Sequence, residues 1–251
     1  MLKVRIMPTL LYRDFELVKG VGFDSWRGIG SAMQAIRVYN MREVDELIFL
    51  DITATREGRE PDFELIDDLA DECFMPLTVG GGIRSLDDVR RLLDVGADKV
   101  AINSEAIRNP VLIYDVARQF GSQCVVVSID VKRTGRSNEV CTHSGTKATG
   151  VDPVAFATEM AKLGAGEILL TSIERDGTME GYDLELMRQV SEALPIPVIA
   201  SGGAGSYENF YQALTEGKAA AVAAASMFHF TEQTPLAAKK YLCERGLPVR
   251  L

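Results

Sequence analysis

Histidine and blocks of positive charge are scarce in this sequence, and each scarcity removes a class of function. Only His143 and His229 are present, and the four cysteines (Cys73, Cys124, Cys141, Cys243) lack Cys-x-x-Cys or Cys/His ligand spacing. A structural zinc site is therefore not expected, and no metal or cofactor is predicted. No run of Lys or Arg exceeds two residues, and the formal charge is −9, so the chain carries no electrostatic footprint for nucleic acid or an anionic membrane. No window approaches the roughly 18 uninterrupted apolar residues of a membrane span, and Met1 to Leu10 mixes charge with apolar residues unlike a signal segment. The expectation is a cytoplasmic protein with reduced thiols.

What is present is a regular alternation. Short β-branched runs at Val4–Leu10, Glu46–Leu50, Pro76–Val79, Lys99–Ile102, Cys124–Ile129, Glu167–Thr171, Pro197–Ala200 and Ala220–Ala224 are each followed by a polar loop and a helical pattern. Ser85-x-x-Asp88 reads as a capping box, Asn109-Pro110 as an N-cap followed by a first-turn proline, and Gly96, Gly121, Gly217 and Gly246 as helix stops. No linker or composition shift divides the 251 residues. Eight such units predict a single α/β domain over residues 1–251, a closed (β/α)₈ TIM barrel, which commonly uses about 250 residues.

The two halves also resemble each other. Val79-Gly-Gly-Gly-Ile-Arg-Ser85 aligns with Ala200-Ser-Gly-Gly-Ala-Gly-Ser206, and Glu46-Leu-Ile-Phe-Leu50 with Glu167-Ile-Leu-Leu-Thr171, both 121 positions apart. A two-fold half-barrel repeat follows, and it predicts paired sites. Gly80-Gly81-Gly82 after strand 3 and Gly202-Gly203 after strand 7 let backbone N–H groups approach a phosphate, with Asn103-Ser104 and Ala225-Ser226 completing two cradles. The competing reading of these glycines is that they serve only tight turns.

Strand 5 ends in Ser128-Ile129-Asp130, which places a carboxylate at the end of the barrel where such enzymes keep their chemistry. Asp130 is the candidate general acid or base, against a salt bridge to Lys132 or Arg133. The repeat puts Leu11 where a second carboxylate is expected. Arg5, Glu46, Lys99 and Glu167 fall at strand starts, two cations and two anions able to form a neutral ring at the opposite end, where charge is usually a stability device. Lys19 lies among Gly20, Gly22, Gly28 and Gly30, read either as a mobile lid or as a solvated loop. Asp51, Thr171, Ser172 and Ser201 are further polar candidates for the mouth. His143, in the segment Lys132–Val151, is read as an exposed loop histidine and left out of the site.

Val79-Gly-Gly-Gly-Ile83, Leu50-Asp-Ile-Thr53, Ala101-Ile-Asn-Ser104, Ser172-Ile-Glu-Arg-Asp-Gly177 and Ala200-Ser-Gly-Gly-Ala-Gly205 together resemble the HisF family, the cyclase subunits of imidazole glycerol phosphate synthase, nearly end to end. The resemblance implies a barrel whose top binds a doubly phosphorylated small molecule and whose bottom docks a HisH-type glutaminase, with ammonia travelling along the axis. It implies an ammonia gate at Arg5, Glu46, Lys99 and Glu167, phosphate contacts at Gly82, Asn103 and Ser104 on one side and Gly177, Gly203 and Ser226 on the other, and a first-loop lysine at Lys19. The family's second catalytic aspartate is missing at Leu11. Pro8-Thr-Leu-Leu11, Asn40-Met-Arg-Glu-Val-Asp-Glu-Leu47, Glu60-Pro-Asp-Phe-Glu-Leu65 and Glu72-Cys-Phe-Met-Pro76 are similar to a branch from surface-polysaccharide clusters, which works with the glutaminase and an N-acetyl sugar amidotransferase to convert acetamido into acetamidino groups. Three roles follow: ammonia-receiving subunit in that modification, histidine-pathway cyclase, or non-catalytic activator of a glutaminase. The related phosphoribosyl isomerase also calls for an aspartate on strand 1.

Overall fold

A computed structural model describes residues 3–135 and 137–251; Met1, Leu2 and Arg136 lie outside the described residues, although they fall within the N-terminal and Lys132–Val151 segments read above. Eight strands alternate with helices: β1 (Arg5–Arg13), β2 (Leu47–Asp51), β3 (Leu77–Gly80), β4 (Lys99–Ile102), β5 (Val125–Thr134), β6 (Glu167–Ser172), β7 (Val198–Ser201) and β8 (Ala221–Ala224). Each pairs in parallel with the next, β8 pairs with β1, and the sheet closes. The predicted (β/α)₈ barrel is therefore the observed fold. Strands covered by helices outside and by one another inside are apolar on both faces, so their sequences read as continuous β-branched runs.

Two hydrophobic clusters follow from that alternation. The larger, with Ile6, Leu10, Leu47, Phe49, Val125 and Val127, lies between sheet and helices. The smaller comprises Met7, Ile48, Ala101, Val126, Leu169, Ile199, Ala221 and Ala223, with Leu50 against it, and fills the barrel interior. Successive strand side chains point to opposite faces, which separates the two sets.

The duplication is visible in local geometry. Ser85 and Asp88 form a reciprocal capping box at the helix Leu86–Asp94, and Ser206 and Asn209 form its counterpart at Tyr207–Thr215. Each box is preceded by two glycines with positive φ, Gly81–Gly82 and Gly202–Gly203. Only glycine suits the first pair, since a Cβ on Gly81 would lie 2.2 Å from the Asp51 carbonyl oxygen.

Some boundaries differ from expectation. Asn109 makes no side-chain cap; it ends the short helix Ser104–Arg108, and Pro110 rather than Asn109 precedes the helix Val111–Phe120. Gly217 follows the C-cap Glu216 as expected of a helix stop, but without the positive φ that Gly96 and Gly246 adopt at the same position. The glycine-rich segment around Lys19 is not a loop, and Lys19 itself is buried although most of Asp24–Gly30 is exposed. The segment forms an antiparallel hairpin, Glu16–Val21 with Asp24–Gly30, continuing from β1. A second hairpin is built on the end of β5, which pairs with Ser137–Thr142.

Candidate functional site

At the N-terminal ends of the strands, the four predicted charges make a closed ring. Arg5 Nη1 lies 2.9 Å from Glu46 and 2.8 Å from Glu167, while Lys99 Nζ lies 2.8 Å from Glu46 and 3.2 Å from Glu167. Each carboxylate thus bridges two cations, and Thr78 Oγ1 donates a further hydrogen bond to Glu46 at 3.0 Å. Burial by itself would lower the Arg5 pKa, but Glu167 and Glu46 outweigh it and hold the guanidinium above its ordinary value. Directly above the ring lies the apolar interior layer of Met7, Ile48, Ala101 and Val126.

At the C-terminal ends a cavity of ≈310 Å³ opens. Its wall includes Lys19, Asp51, Gly82, Asn103, Ser104, Asp130, Thr171, Ser201, Gly203 and Ser226, so these predicted residues share one site. Gly177 is not on the wall. Its backbone packs against the hairpin, where a Cβ would meet the Gly20 carbonyl oxygen at 2.1 Å. Ser172 is buried but likewise off the wall.

Asp130 sits at the floor and makes no ion pair with Lys132 or Arg133, whose side chains are exposed. Asn103 Nδ2 donates to Asp130 Oδ2 at 3.0 Å and to the Ser128 carbonyl at 3.0 Å. Burial first, and the negative charge of Asp176 second, push the Asp130 carboxyl up to about 7, against the Asn103 hydrogen bond that lowers it. A carboxyl poised there can exchange a proton near neutral pH, the property a general acid or base needs. Leu11 lies on the same wall, almost fully buried.

Lys19 is buried, and both Asp176 carboxylate oxygens accept from its ammonium at 2.9 Å. Gly22 N–H donates to the Asp176 carbonyl at 2.8 Å, so the hairpin is fastened to the loop after β6 by side chain and backbone together. Asp51 faces the cavity, yet its Oδ1 already accepts from Thr53 N–H at 2.9 Å, Thr53 Oγ1 at 3.0 Å and Ala54 N–H at 2.9 Å. Arg59 takes its other oxygen at 3.2 Å, so this carboxylate organises the loop after β2.

Several wall residues escaped the sequence reading. Asp176 was visible only as part of a loop. Arg84 lies in the Val79–Ser85 repeat motif but was not singled out, Arg108, Phe23 and Trp26 belong to no motif, and His143 is half-buried on the wall rather than exposed. His143 N–H donates to Ser104 Oγ at 3.0 Å, which ties the second hairpin to the cradle; burial, then Lys147 and Arg108, lower the imidazole pKa. The signal for His143 was its neighbour Ser144, part of a Ser-Gly turn whose hydroxyl donates to the Ile52 carbonyl at 2.6 Å. Two buried hydroxyls on the wall, Thr9 Oγ1 and Ser226 Oγ, have no hydrogen-bond partner among the described residues. Among the described residues, no group of three or more His, Cys, Asp or Glu side chains is placed to hold a metal, and no helix is long and apolar enough to cross a membrane.

The chain matches the model of the histidine biosynthesis protein family over residues 5–234, which accords with its likeness to HisF, and it belongs to that family of HisA/HisF-type (β/α)₈ enzymes.

Proposed function

We propose that this chain is the ammonia-receiving, HisF-type subunit of a cytoplasmic glutamine amidotransferase complex, working with a HisH-type glutaminase. The observation that carries this reading is the polarity of the barrel along its axis. A closed ring of Arg5, Glu46, Lys99 and Glu167 stands at one end, an apolar interior follows, and a polar cavity with an activated carboxyl stands at the other. Ammonia delivered at the ring would meet no competing hydrogen-bonding side chain in the apolar layer before the mouth. The Gly82/Asn103/Ser104 and Gly203/Ser226 cradles take a phosphorylated acceptor, and residues 1–251 act as one domain.

The pairing of Leu11 with Asp130 at the floor favours acetamidino modification of a surface-polysaccharide sugar, in company with an N-acetyl sugar amidotransferase. Leucine cannot transfer a proton, and general acid–base help is worth about 10²–10⁴-fold. A histidine-pathway cyclase is favoured by a different observation: Asp176 lies close enough to raise the Asp130 pKa, so a second carboxylate is present even without one at position 11. The activator role leaves the buried, cradle-lined cavity without a purpose.

Purified chain supplied with ammonium salt and the histidine-pathway substrate separates these readings. No turnover at ordinary enzyme rates is expected. Turnover that disappears in Asp130→Asn identifies the cyclase instead. Specific binding of a phosphorylated ligand that is abolished by substitution of Asn103 removes the purely regulatory role.

A further inference from the structure

The two phosphate cradles are equivalent in backbone and unlike in side chains. Gly82 corresponds to Gly203, and Ser104 and Ser226 each begin a five-residue helix, Ser104–Arg108 and Ser226–Phe230. Around the first cradle stand Arg84, Asn103 and Arg108. At the matching positions of the second stand Gly205, Ala225 and Phe230. Nothing can replace Arg84 at Gly205, where a Cβ would lie 2.0 Å from the Met179 carbonyl oxygen. Phe230 is covered by the Arg27 guanidinium, 3.8 Å from the ring centre, and Lys19 is neutralised by Asp176. Arg175, in the loop after β6, stands beside Gly203 but is off the cavity wall, with Glu180 3.9 Å from its guanidinium.

The first cradle is also built in two tiers. Gly82 is buried and Ser104 half-buried, whereas Arg84 and Arg108 are exposed at the rim above them and still line the cavity. Arg59, the third arginine nearby, is fully engaged: its guanidinium contacts Glu57, Asp51 and Thr53. The other two are not. Arg84 Nη1 donates to the Gly58 carbonyl at 3.2 Å, and no carboxylate of the described residues pairs with it. Arg108 uses Nε for Glu105 at 2.7 Å, which fixes the guanidinium plane and leaves its terminal N–H groups directed elsewhere.

One phosphoryl group is served by the inner tier; two arginines further out serve another. Resting on the reading of Gly82 and Ser104 as a phosphate cradle, we infer that the first-half side of the cavity is a diphosphate subsite, holding the proximal phosphate at Gly82/Ser104 and the distal one between Arg84 and Arg108, while the second-half side takes a singly phosphorylated or uncharged group. The ligand of this cavity is therefore asymmetric in charge, as a diphosphate ester is.

Calorimetric titration of the full chain with inorganic pyrophosphate, orthophosphate and uridine diphosphate at fixed ionic strength tests the assignment. Wild type is expected to bind pyrophosphate or uridine diphosphate at least ~10-fold more tightly than orthophosphate, the scale of one or two charge-assisted hydrogen bonds. Arg84→Gln combined with Arg108→Gln is expected to abolish that preference while changing orthophosphate affinity less than ~3-fold; Arg84→Gln alone, which breaks no ion pair, is expected to do so in part. Equal affinity for mono- and diphosphates in wild type, or a preference that survives the double substitution, overturns the inference and leaves the cradles standing. Failure of all three anions to bind overturns the cradle reading with it.

Discussion

Leu11 and Asp130 occupy equivalent places in the two halves of the barrel: Leu11 pairs in register with Leu50 and Asp130 with Thr171, and Leu50 and Thr171 are themselves repeat partners, 121 positions apart. The missing carboxylate is thus a fact of geometry as well as of alignment. Leu11→Asp places a second carboxylate on the wall of the cavity that already holds Asp130, whose pKa is raised. The variant is expected to be less stable by about 1–3 kcal/mol, since it buries a polar group without a built-in partner. With ammonium salt and the histidine-pathway substrate it is expected to gain on the order of 10²-fold in turnover, the lower range of general acid–base catalysis. Chemical denaturation and a steady-state assay check the two halves; unchanged turnover in a folded Leu11→Asp protein refutes the idea that position 11 limits the cyclase chemistry.

Asp130 gives the stability a defined pH dependence. Its folded pKa of about 7 lies above the ordinary value of 3.8, so the folded state holds a proton that the unfolded state releases. Stability contributed by the neutral carboxyl is present below pH 3.8 and is lost as pH rises towards 7, with an upper bound of about 4 kcal/mol for the whole window. Asp130→Asn cannot titrate. The variant is therefore expected to gain on wild type steadily between pH 5 and about 7 and to hold a constant difference above it, as read from denaturation midpoints across buffers.

The charge ring makes a prediction that separates structure from transport. Lys99→Ala leaves Glu46, a nearly buried carboxylate, with Arg5 and Thr78 as its remaining partners. The cost is expected to be about 2 kcal/mol, between the ~1 kcal/mol of an exposed pair and the 3–5 of a fully buried one. If the ring admits ammonia, activity with ammonium salt stays near wild type while glutamine-driven activity of the reconstituted complex changes. Equal losses with both nitrogen sources assign Lys99 to stability alone.

The barrel was legible because its strands are buried on both faces: Val125, Val126 and Val127 are apolar without a gap, and capping boxes such as Ser85/Asp88 mark the helices between. The hairpins were not. Asp24–Gly30 runs Asp-Ser-Trp-Arg-Gly-Ile-Gly with mostly exposed positions, so neither alternation nor a hydrophobic run betrays it as a strand. The same limit applies to the site. Glycine pairs and the terminal Asp130 are local patterns that a repeat exposes. The contact of Lys19 with Asp176 spans 157 positions and exists only after the barrel closes.

His229 provides a titration of opposite sign to that of Asp130. Burial first, then the positive charges of Lys19 and Arg42, depress its pKa to about 4, and its Nε2 is buried with no hydrogen-bond partner among the described residues. The unfolded chain takes up a proton near 6.5 that the folded chain refuses, so wild type loses stability as pH falls from about 6.5 towards 4, by at most ~3 kcal/mol. Tyr39, edge-on at 6.3 Å between ring centres, offers the imidazole no acceptor for that proton in the aromatic stack. His229→Leu removes both the titration and the unpaired nitrogen. It is expected to be within ~1 kcal/mol of wild type at pH 7, where loss of packing and relief of an orphaned polar atom oppose each other, and clearly more stable than wild type at pH 5. A stability difference between the two proteins that does not vary between pH 7 and pH 5 shows that His229 titrates alike in the folded and unfolded chain and is solvated in the barrel.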